Sequence, residues 1–310
     1  MTVTLNASID KAYHMTDAIC TGTVMRVART VNSAGGKGLN VARVAALCGA
    51  EVKATGLVGG HNGSYLETLL DADGISHEFG HIAGETRSCI NVLDPKYGST
   101  EFLEAGPEVT AEEGDAFCAL FERLVGESDV VTLSGSAPAG LSKDIYARLV
   151  ERVRAAGKDV ILDTSGELLR QGMAARPSMI KPNKDEIEAL YQIKLESRSD
   201  AVAWARRVRE EEGIANVVVS LGADGALLAC EEGVFIGVSP SVEVVNTVGC
   251  GDSMVAAFAV AFERAMSVNE ALAYAISVAT ANALTPNTGG FDPASQAELY
   301  EKVVVTRVDR

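Results

Sequence analysis

The sequence predicts an α/β protein built on one large, mostly parallel sheet with a small β-sheet lid, and three observations carry that expectation. From residue 110 onward, strand-length apolar runs alternate with helix-length segments, the pattern of parallel strands joined by crossover helices. Two glycine clusters, Gly35-Gly36-Lys37-Gly38 and Gly249-Cys250-Gly251, each lie between a strand-like run and a helical one. Residues 11–31 lack helical periodicity and alternate in short pieces, among them Val24-Met25-Arg26-Val27, so they read as lid strands outside the core. With 310 residues and 47% hydrophobic composition the chain can bury one large core. The expectation is one domain over residues 1–310, with the lid formed by segments near 9–31 and 75–104.

Taken in order, residues 1–5 form a buried first strand, and Asn6-Ala7-Ser8-Ile9-Asp10 follows at its C-terminal end, the side of an open α/β sheet where ligands bind. Asp10 is therefore placed to meet a polar ligand. The first glycine cluster opens a helix whose apolar positions Leu39, Val41, Ala42, Ala45 and Ala46 run to a stop at Gly49. A strand over 52–58, a helix over 64–72 and a strand over 75–79 come next, the last beginning a small sheet with 88–93 and 100–103. The turn Asp94-Pro95-Lys96-Tyr97-Gly98 joins the final two. The pair Thr110 and Glu113 forms a capping box for a helix to 124, followed by a strand over 129–133 that ends in Ser134-Gly135-Ser136. Helix 143–155, strand 159–162, helix 167–173, strand 179–180, helix 185–191 and strand 217–221 continue the alternation. Asp224-Gly225 turns the chain into an antiparallel extension over 226–230 and 234–238. Helices over 252–264, 268–284 and 294–303 close it.

The charge balance narrows the partners. With 42 acidic against 27 basic residues the formal charge is −15, which opposes binding to nucleic acid or to an anionic membrane. No apolar run approaches the roughly 20 residues that span a bilayer, and Met1 leads directly into a strand-like Val3-Thr4-Leu5, so the expected location is the cytoplasm. The six cysteines form no C-x-x-C pair and read as reduced thiols. Cys250 lies at a helix N-terminus, where a thiol pKa can fall, yet no base lies near it in sequence. A phosphorylated ligand would have to be met by local cations, for which Arg26, Lys37, Arg87 and Lys181 are candidates.

The chemistry concentrates in residues 245–253. A glycine turn running into a helix N-terminus aims free backbone N–H groups at one point, and the helix dipole adds positive charge there, as a phosphate requires. Asp252 falls in the first helical turn, where it reads either as a base for an attacking hydroxyl or as a cap of the helix. Neither common nucleotide fingerprint is present. Gly36-Lys37 is followed by Gly38 and Gly157-Lys158 by Asp159, where a P-loop needs Ser or Thr, and Met254 stands where the third small residue of a dinucleotide motif belongs.

Three ordered motifs, Gly35-Gly36-Lys37-Gly38-x-Asn40-Val41-Ala42, Lys181-Pro182-Asn183-x-x-Glu186 and Asn246-Thr247-Val248-Gly249-Cys250-Gly251-Asp252-Ser253, together resemble the ribokinase/PfkB carbohydrate kinases. Thr4-Leu5-Asn6, Thr86-Arg87, Ser134-Gly135-Ser136-x-Pro138 and Ser220-Leu221-Gly222-x-x-Gly225-Ala226 are similar to the sugar-phosphate branch of 1-phosphofructokinase and tagatose-6-phosphate kinase. The resemblance implies a ribokinase-like three-layer sandwich, with sugar phosphate under the lid and ATP across the carboxyl edge of the sheet. It implies Asp252 as the base and the N–H groups of Gly249, Cys250 and Gly251 as the hole for the transferred phosphoryl. Asp10, Arg26, Gly36, Lys37, Asn40, Arg87 and Ser136 would contact the sugar phosphate; Lys181, Asn183, Ser220, Gly222, Gly225 and Asn287 would contact the nucleotide. Asn183 and Glu186 would order Mg²⁺ through water, although on local grounds they are equally a helix cap and its N3 partner. Two departures stand out: Asn246 replaces a usual Asp, which weakens the expectation of monovalent-cation dependence, and Cys250 replaces a usual Ala or Ser without touching the backbone donors.

The leading expectation is ATP-dependent phosphorylation of fructose 1-phosphate to the 1,6-bisphosphate, with tagatose 6-phosphate or fructose 6-phosphate as alternative acceptors. A nicotinamide oxidoreductase fits the βα alternation but lacks the fingerprint, and a non-catalytic sugar-phosphate sensor is opposed by the presence of both Asp252 and Glu186. Lids of this family often pair across a two-fold axis, so a homodimer through the lid is expected.

Overall fold

A computed structural model describes residues 1–308. The chain opens with β1 (Thr2–Thr4), β2 (Ser8–His14), β3 (Arg29–Gly35), α1 (Lys37–Leu47), β4 (Lys53–Gly59), α2 (Gly60–Ala72), β5 (Ser76–His77), β6 (Gly80–Ile82), β7 (Arg87–Asp94) and β8 (Gly98–Leu103). It continues through α3 (Ala111–Gly126), β9 (Val130–Ser134), α4 (Ile145–Ala155), β10 (Asp159–Asp163), α5 (Gly166–Ala174), β11 (Met179–Ile180), α6 (Lys184–Tyr191), α7 (Arg198–Glu212) and β12 (Asn216–Ser220). The last part holds β13 (Ala226–Cys230), β14 (Gly233–Val238), α8 (Cys250–Glu263), α9 (Val268–Ala283), α10 (Pro293–Tyr300) and β15 (Val304–Val308).

The large sheet has the order β15-β14-β13-β12-β11-β10-β9-β1-β4-β5, with β6 also on β4. From β12 through β4 to β5 and β6 every pairing is parallel; β13, β14 and β15 add an antiparallel wing. A strand buried on both faces must be apolar throughout, with successive side chains serving different layers. Val217 and Val219 join the cluster formed with Phe117, Leu149 and Trp204, whereas Val218 packs with Met254, Phe258 and Ile276 on the opposite face. Val160 and Leu162 part from Ile161 in the same way. Helices α3 to α7 thus cover one face and α1, α8, α9 and α10 the other, a three-layer α/β sandwich as expected. No helix among the described residues is long and apolar enough to cross a membrane.

A separate four-stranded sheet, β3-β2-β7-β8, stands off the C-terminal edge. Its membership differs from the sequence expectation in two places. Residues 76–82 pair with β4 on the large sheet, so the small sheet takes only 87–103 from that segment. Residues 15–28, expected as strands, form a loop between β2 and β3, because the alternation around Val24 and Val27 has no partner strand and leaves both valines exposed. Two elements were not legible. In α7 eight of fifteen residues are charged, which hides the stripe Ala201, Val202, Trp204, Ala205 and Val208 behind a Ser197 cap whose N3 partner is Asp200. β15 follows the last helix within a β-branched run that reads equally as a helical tail.

Glycine permits the closest strand contact. Gly56 has φ +152°, and a Cβ there would fall 1.9 Å from the Thr4 carbonyl oxygen, inside the β1–β4 pairing. Gly74 also has positive φ, +69°, but faces open space. Gly56→Ala should therefore destabilise the fold by about 3 kcal/mol or more, through steric overlap added to backbone strain. Gly74→Ala should cost about 1 kcal/mol, from the left-handed conformation alone. Urea unfolding of both variants measures the difference, and equal midpoints would contradict the packing.

Candidate active site

A cleft of ≈ 1410 Å³ runs along the C-terminal edge of the large sheet, from under the small sheet to the antiparallel wing. Three helices, α1, α6 and α8, start at its wall, since their N-cap residues Gly36, Asn183 and Gly249 all line it. Each helix presents unpaired N–H groups and the positive end of its dipole to the same space. That arrangement suits an anionic ligand.

Opposed charges gather in the middle. Asp163, the last residue of β10, is 1% exposed and lies 3.2 Å from Lys181 Nζ and 3.4 Å from Lys37 Nζ. Lys37 also approaches Glu186 at 3.9 Å. The Asp163 carboxylate is the chief reason that the Lys37 ammonium holds its proton more tightly than usual, against the opposing effect of burial. Asp252, 6% exposed, accepts a 2.8 Å hydrogen bond from Asn40 Nδ2. Burial first, and the nearby negative charge of Asp163 second, push its pKa up to about 6; Lys37, the Asn40 bond and Lys181 pull the other way. A carboxylate so balanced is ionised at neutral pH yet basic enough to accept a proton.

The glycine turn shapes what faces that carboxylate. Gly249 caps α8 with φ +84°, and the first intrahelical bond runs from Ser253 N–H to Gly249 O at 2.8 Å. Cys250 N–H turns back to Thr247 O at 3.3 Å, so the open donors of this turn include those of Gly251 and Asp252. Lys181 Nζ lies 3.4 Å from the point a Gly251 Cβ would occupy, which places a cation over the turn. Asn282, fully buried in α9, donates to Val248 O at 3.0 Å and accepts from Gly289 and Gly290 N–H at 3.1 and 3.3 Å, clamping two loops together. Asn246 adds a second tie, accepting from Val248 N–H at 3.0 Å and donating to Pro286 O at 3.3 Å.

Asp10 faces the cleft from β2, accepts a 2.6 Å bond from Ser8 Oγ, and is held above the usual carboxylate range chiefly by burial. Gly35 makes its place, because a Cβ there would fall 2.1 Å from the Asp10 carboxyl. Arg87 lines the cleft but spends donors on Asn6 O at 3.0 and 3.2 Å and Glu104 O at 2.8 Å, bracing the small sheet against the large one. Ser136 accepts from Asn6 Nδ2 at 3.2 Å. Ser220, Gly222 and Gly225 border the other end of the cleft. Asn183 and Glu186 form a reciprocal capping box, with Asn183 Oδ1 accepting from Glu186 N–H and Glu186 Oε2 from Asn183 N–H; the second Glu186 oxygen is the one near Lys37.

Three of the residues singled out in the sequence do not line the cleft: Glu186, which approaches it only through Lys37, and Arg26 and Asn287. Arg26 is exposed in the loop over 15–28, and Asn287 is exposed beside Thr288, which lines the wall instead. Asp163 and Asn282 are the residues that sequence reading missed. A strand ending in Asp-Thr-Ser was the only signal for the first, and a polar residue inside the apolar run of α9 the only one for the second. The Cys250 thiol is held above its ordinary pKa, mainly by burial, which disfavours the thiolate that a nucleophile needs.

Residues 3–294 match the family model described as pfkB family carbohydrate kinase. Among solved structures, "a putative phosphofructokinase from Staphylococcus aureus" shares 30% identity over 99% of this chain and 98% of its own, with a TM-score of 0.86. The phosphofructokinase-2 of Escherichia coli, solved in complex with substrates and products, shares 28% identity over 97% and 98%, with a TM-score of 0.89. A possible 1-phosphofructokinase from Thermotoga maritima shares 27% identity over 99% of each chain, also with a TM-score of 0.89. A buried basic carboxylate beside helix N-termini and two lysines is the equipment for moving a phosphoryl group to a hydroxyl, and with these matches over nearly its whole length the chain belongs to the pfkB family of carbohydrate kinases.

Proposed function

We propose that this kinase transfers the γ-phosphoryl group of ATP to the free primary hydroxyl of a ketohexose phosphate, forming a 1,6-bisphosphate. The observation that carries the reading is Asp252, a buried carboxylate with a pKa of about 6 beside the donors of the α8 turn. Asp252 takes the hydroxyl proton as the sugar oxygen bonds to the γ-phosphorus, and the bond to the β,γ-bridging oxygen breaks to release ADP. Charge growing on the phosphoryl oxygens meets the Gly251 N–H, which no helix carbonyl claims, and the ammonium of Lys181, while the Cys250 N–H, expected as a donor here, is held by Thr247 O. Lys37, anchored by Asp163, offsets the charge of the base and of the phosphates.

The Glu186 carboxylate oxygen left free by the capping box is a donor that suits a hard divalent ion. Asn183 Oδ1 is engaged in the cap, so Glu186 would hold Mg²⁺ through water while the Asn183 amide N–H₂ meets phosphate oxygen. Bound there, Mg²⁺ supplies neutralisation of the nucleotide phosphates. Ser220, Gly222 and Gly225 border the nucleotide end; Asp10, Gly36, Asn40, Arg87 and Ser136 border the sugar end under the small sheet.

Turnover should then depend on one ionised carboxylate. The value of kcat/KM is expected to fall about tenfold per unit below pH 6 and to level off above it, since protonated Asp252 cannot accept a proton. Asp252→Asn should lower kcat by about 10² to 10⁴ with little change in sugar-phosphate binding. A variant within a few-fold of the parent would remove Asp252 from the mechanism.

Fructose 1-phosphate is the first choice of acceptor, supported by the likeness to a possible 1-phosphofructokinase; the cations Lys37 and Arg87 in the cleft suit the phosphate of any of the three acceptors. Tagatose 6-phosphate and fructose 6-phosphate should show measurable activity, because a C4 epimer differs by one hydroxyl's hydrogen bonds. Side-by-side kcat/KM values decide the order. A tenfold preference for tagatose 6-phosphate, about 1.4 kcal/mol of transition-state discrimination, would reassign the substrate.

The outer part of the small sheet also supports self-association. On β8 Phe102 is 59% exposed and Leu103 65%, and Val24 in the loop between β2 and β3 is exposed too, so apolar side chains of this sheet and its loop face outward. The reading is a homodimer through these lids. Phe102→Asp should shift the sedimentation coefficient toward the monomer, and an unchanged value would place any interface elsewhere.

A further inference from the structure

We propose that Arg43, one turn beyond Asn40 on α1, is a positioning residue for Asp252: by holding the Asn40 amide oxygen it fixes which end of that amide faces the carboxylate. The inference rests on Asp252 serving as the base.

The geometry is a chain of directed bonds. Arg43 Nη1 donates to Asn40 Oδ1 at 3.2 Å, Nε to Asp73 Oδ2 at 2.7 Å, and Nη2 to the Ala34 carbonyl. Asn40, 8% exposed, then donates through Nδ2 to Asp252 Oδ2 at 2.8 Å. An amide can turn over, exchanging its oxygen and its N–H₂ with little change of shape. Turned over, it would present a carbonyl oxygen to a carboxylate, in a site that already contains Asp163. Arg43 prevents this, since a guanidinium only donates and cannot accept from the amide N–H₂. The planar fork explains why arginine serves here: it reaches the end of α2 at Asp73, β3 at Ala34 and its own helix at Asn40 together, which a lysine ammonium cannot do in fixed directions.

Charged neighbours are few on each side. Asp252 faces Asp163 from β10, Lys37 from α1 and Lys181 beyond β11. Arg43 faces Asp73, and Asp10 from β2, whose ionised form it also favours. Loss of Arg43 should therefore remove a hydrogen bond that keeps Asp252 ionised, and the base should become harder to ionise.

The test is a double-mutant cycle of Arg43→Met and Asn40→Ala, with kcat and KM measured from pH 5.5 to 9 for the best acceptor, beside Asp252→Asn. Arg43→Met should lower kcat about tenfold at pH 7, leave KM for ATP within about twofold, and lose at least threefold more at pH 6 than at pH 8.5. The double variant should be no worse in kcat than Asn40→Ala alone, because the arginine acts through the amide. Arg43→Lys should fail to restore kcat. If Arg43→Met does not fold by thermal melting, Arg43→Lys and Asp73→Asn carry the same cycle, each with a loss of kcat that grows toward low pH in the same way. Additive losses in kcat, or an unmoved pH profile, would overturn the role of Arg43 while leaving the base intact. Retained turnover in Asp252→Asn would overturn both.

Discussion

Two carboxylates and two ammonium groups meet at one wall of the cleft, three of the four buried, and the placement of everything around them follows from that constraint. Asp163, Asp252 and Lys181 are each under a tenth exposed, and Lys37 reaches in from the head of α1. A buried charge without a partner costs several kcal/mol, and even a matched buried pair often gains little over apolar packing. The cluster is therefore poor evidence for stability and good evidence for use. Asp163 fixes both lysines while Asp252 takes up a single bond from Asn40, and burial, with the charge of Asp163 second, raises the proton affinity of Asp252.

The fold solves a second electrostatic problem. A chain of formal charge −15 repels phosphates at long range, yet its cleft must receive them. The parallel sheet brings the starts of α1, α6 and α8 to one edge, and each contributes partial positive charge without spending a side chain. Such fields act over the first turn only, so the acidic surface elsewhere does not cancel them. Gly36 and Gly249, at the heads of α1 and α8, let backbone approach ligand closely.

Most of the layered core was legible because its strands are apolar over their whole length and separated by capped helices. Thr110 with Glu113 forms the expected capping box, Ser267 with Glu270 forms another, and so do Asn183 and Glu186, of which Asn183 borders the site. The motif around Asp252 was legible because turn, dipole and acid are local in sequence. Asp163 was not, since its importance arises from lysines 126 residues before and 18 after it. Arg26 stands outside the cleft for the converse reason: the alternating valines around it suggested a strand, whereas the segment is a loop. The capping box of α7 uses Asp where Glu or Gln is the usual signal, and its apolar stripe is diluted by charge.

The strand edges carry a last consequence, for how this molecule behaves when crowded. A long bare edge is a template for uncontrolled pairing with other chains. On one side the large sheet ends in β5 and β6, of two and three residues; on the other it ends in β15, whose Arg307 lies over the ring of Phe235. Such short or charged borders offer little to a stray strand. The small sheet is different, with six exposed residues along β8 on its rim. Aggregation under heat or at high concentration should therefore begin at the lid, and the same rim that gives access to the cleft is where solubility engineering would place lysine or proline.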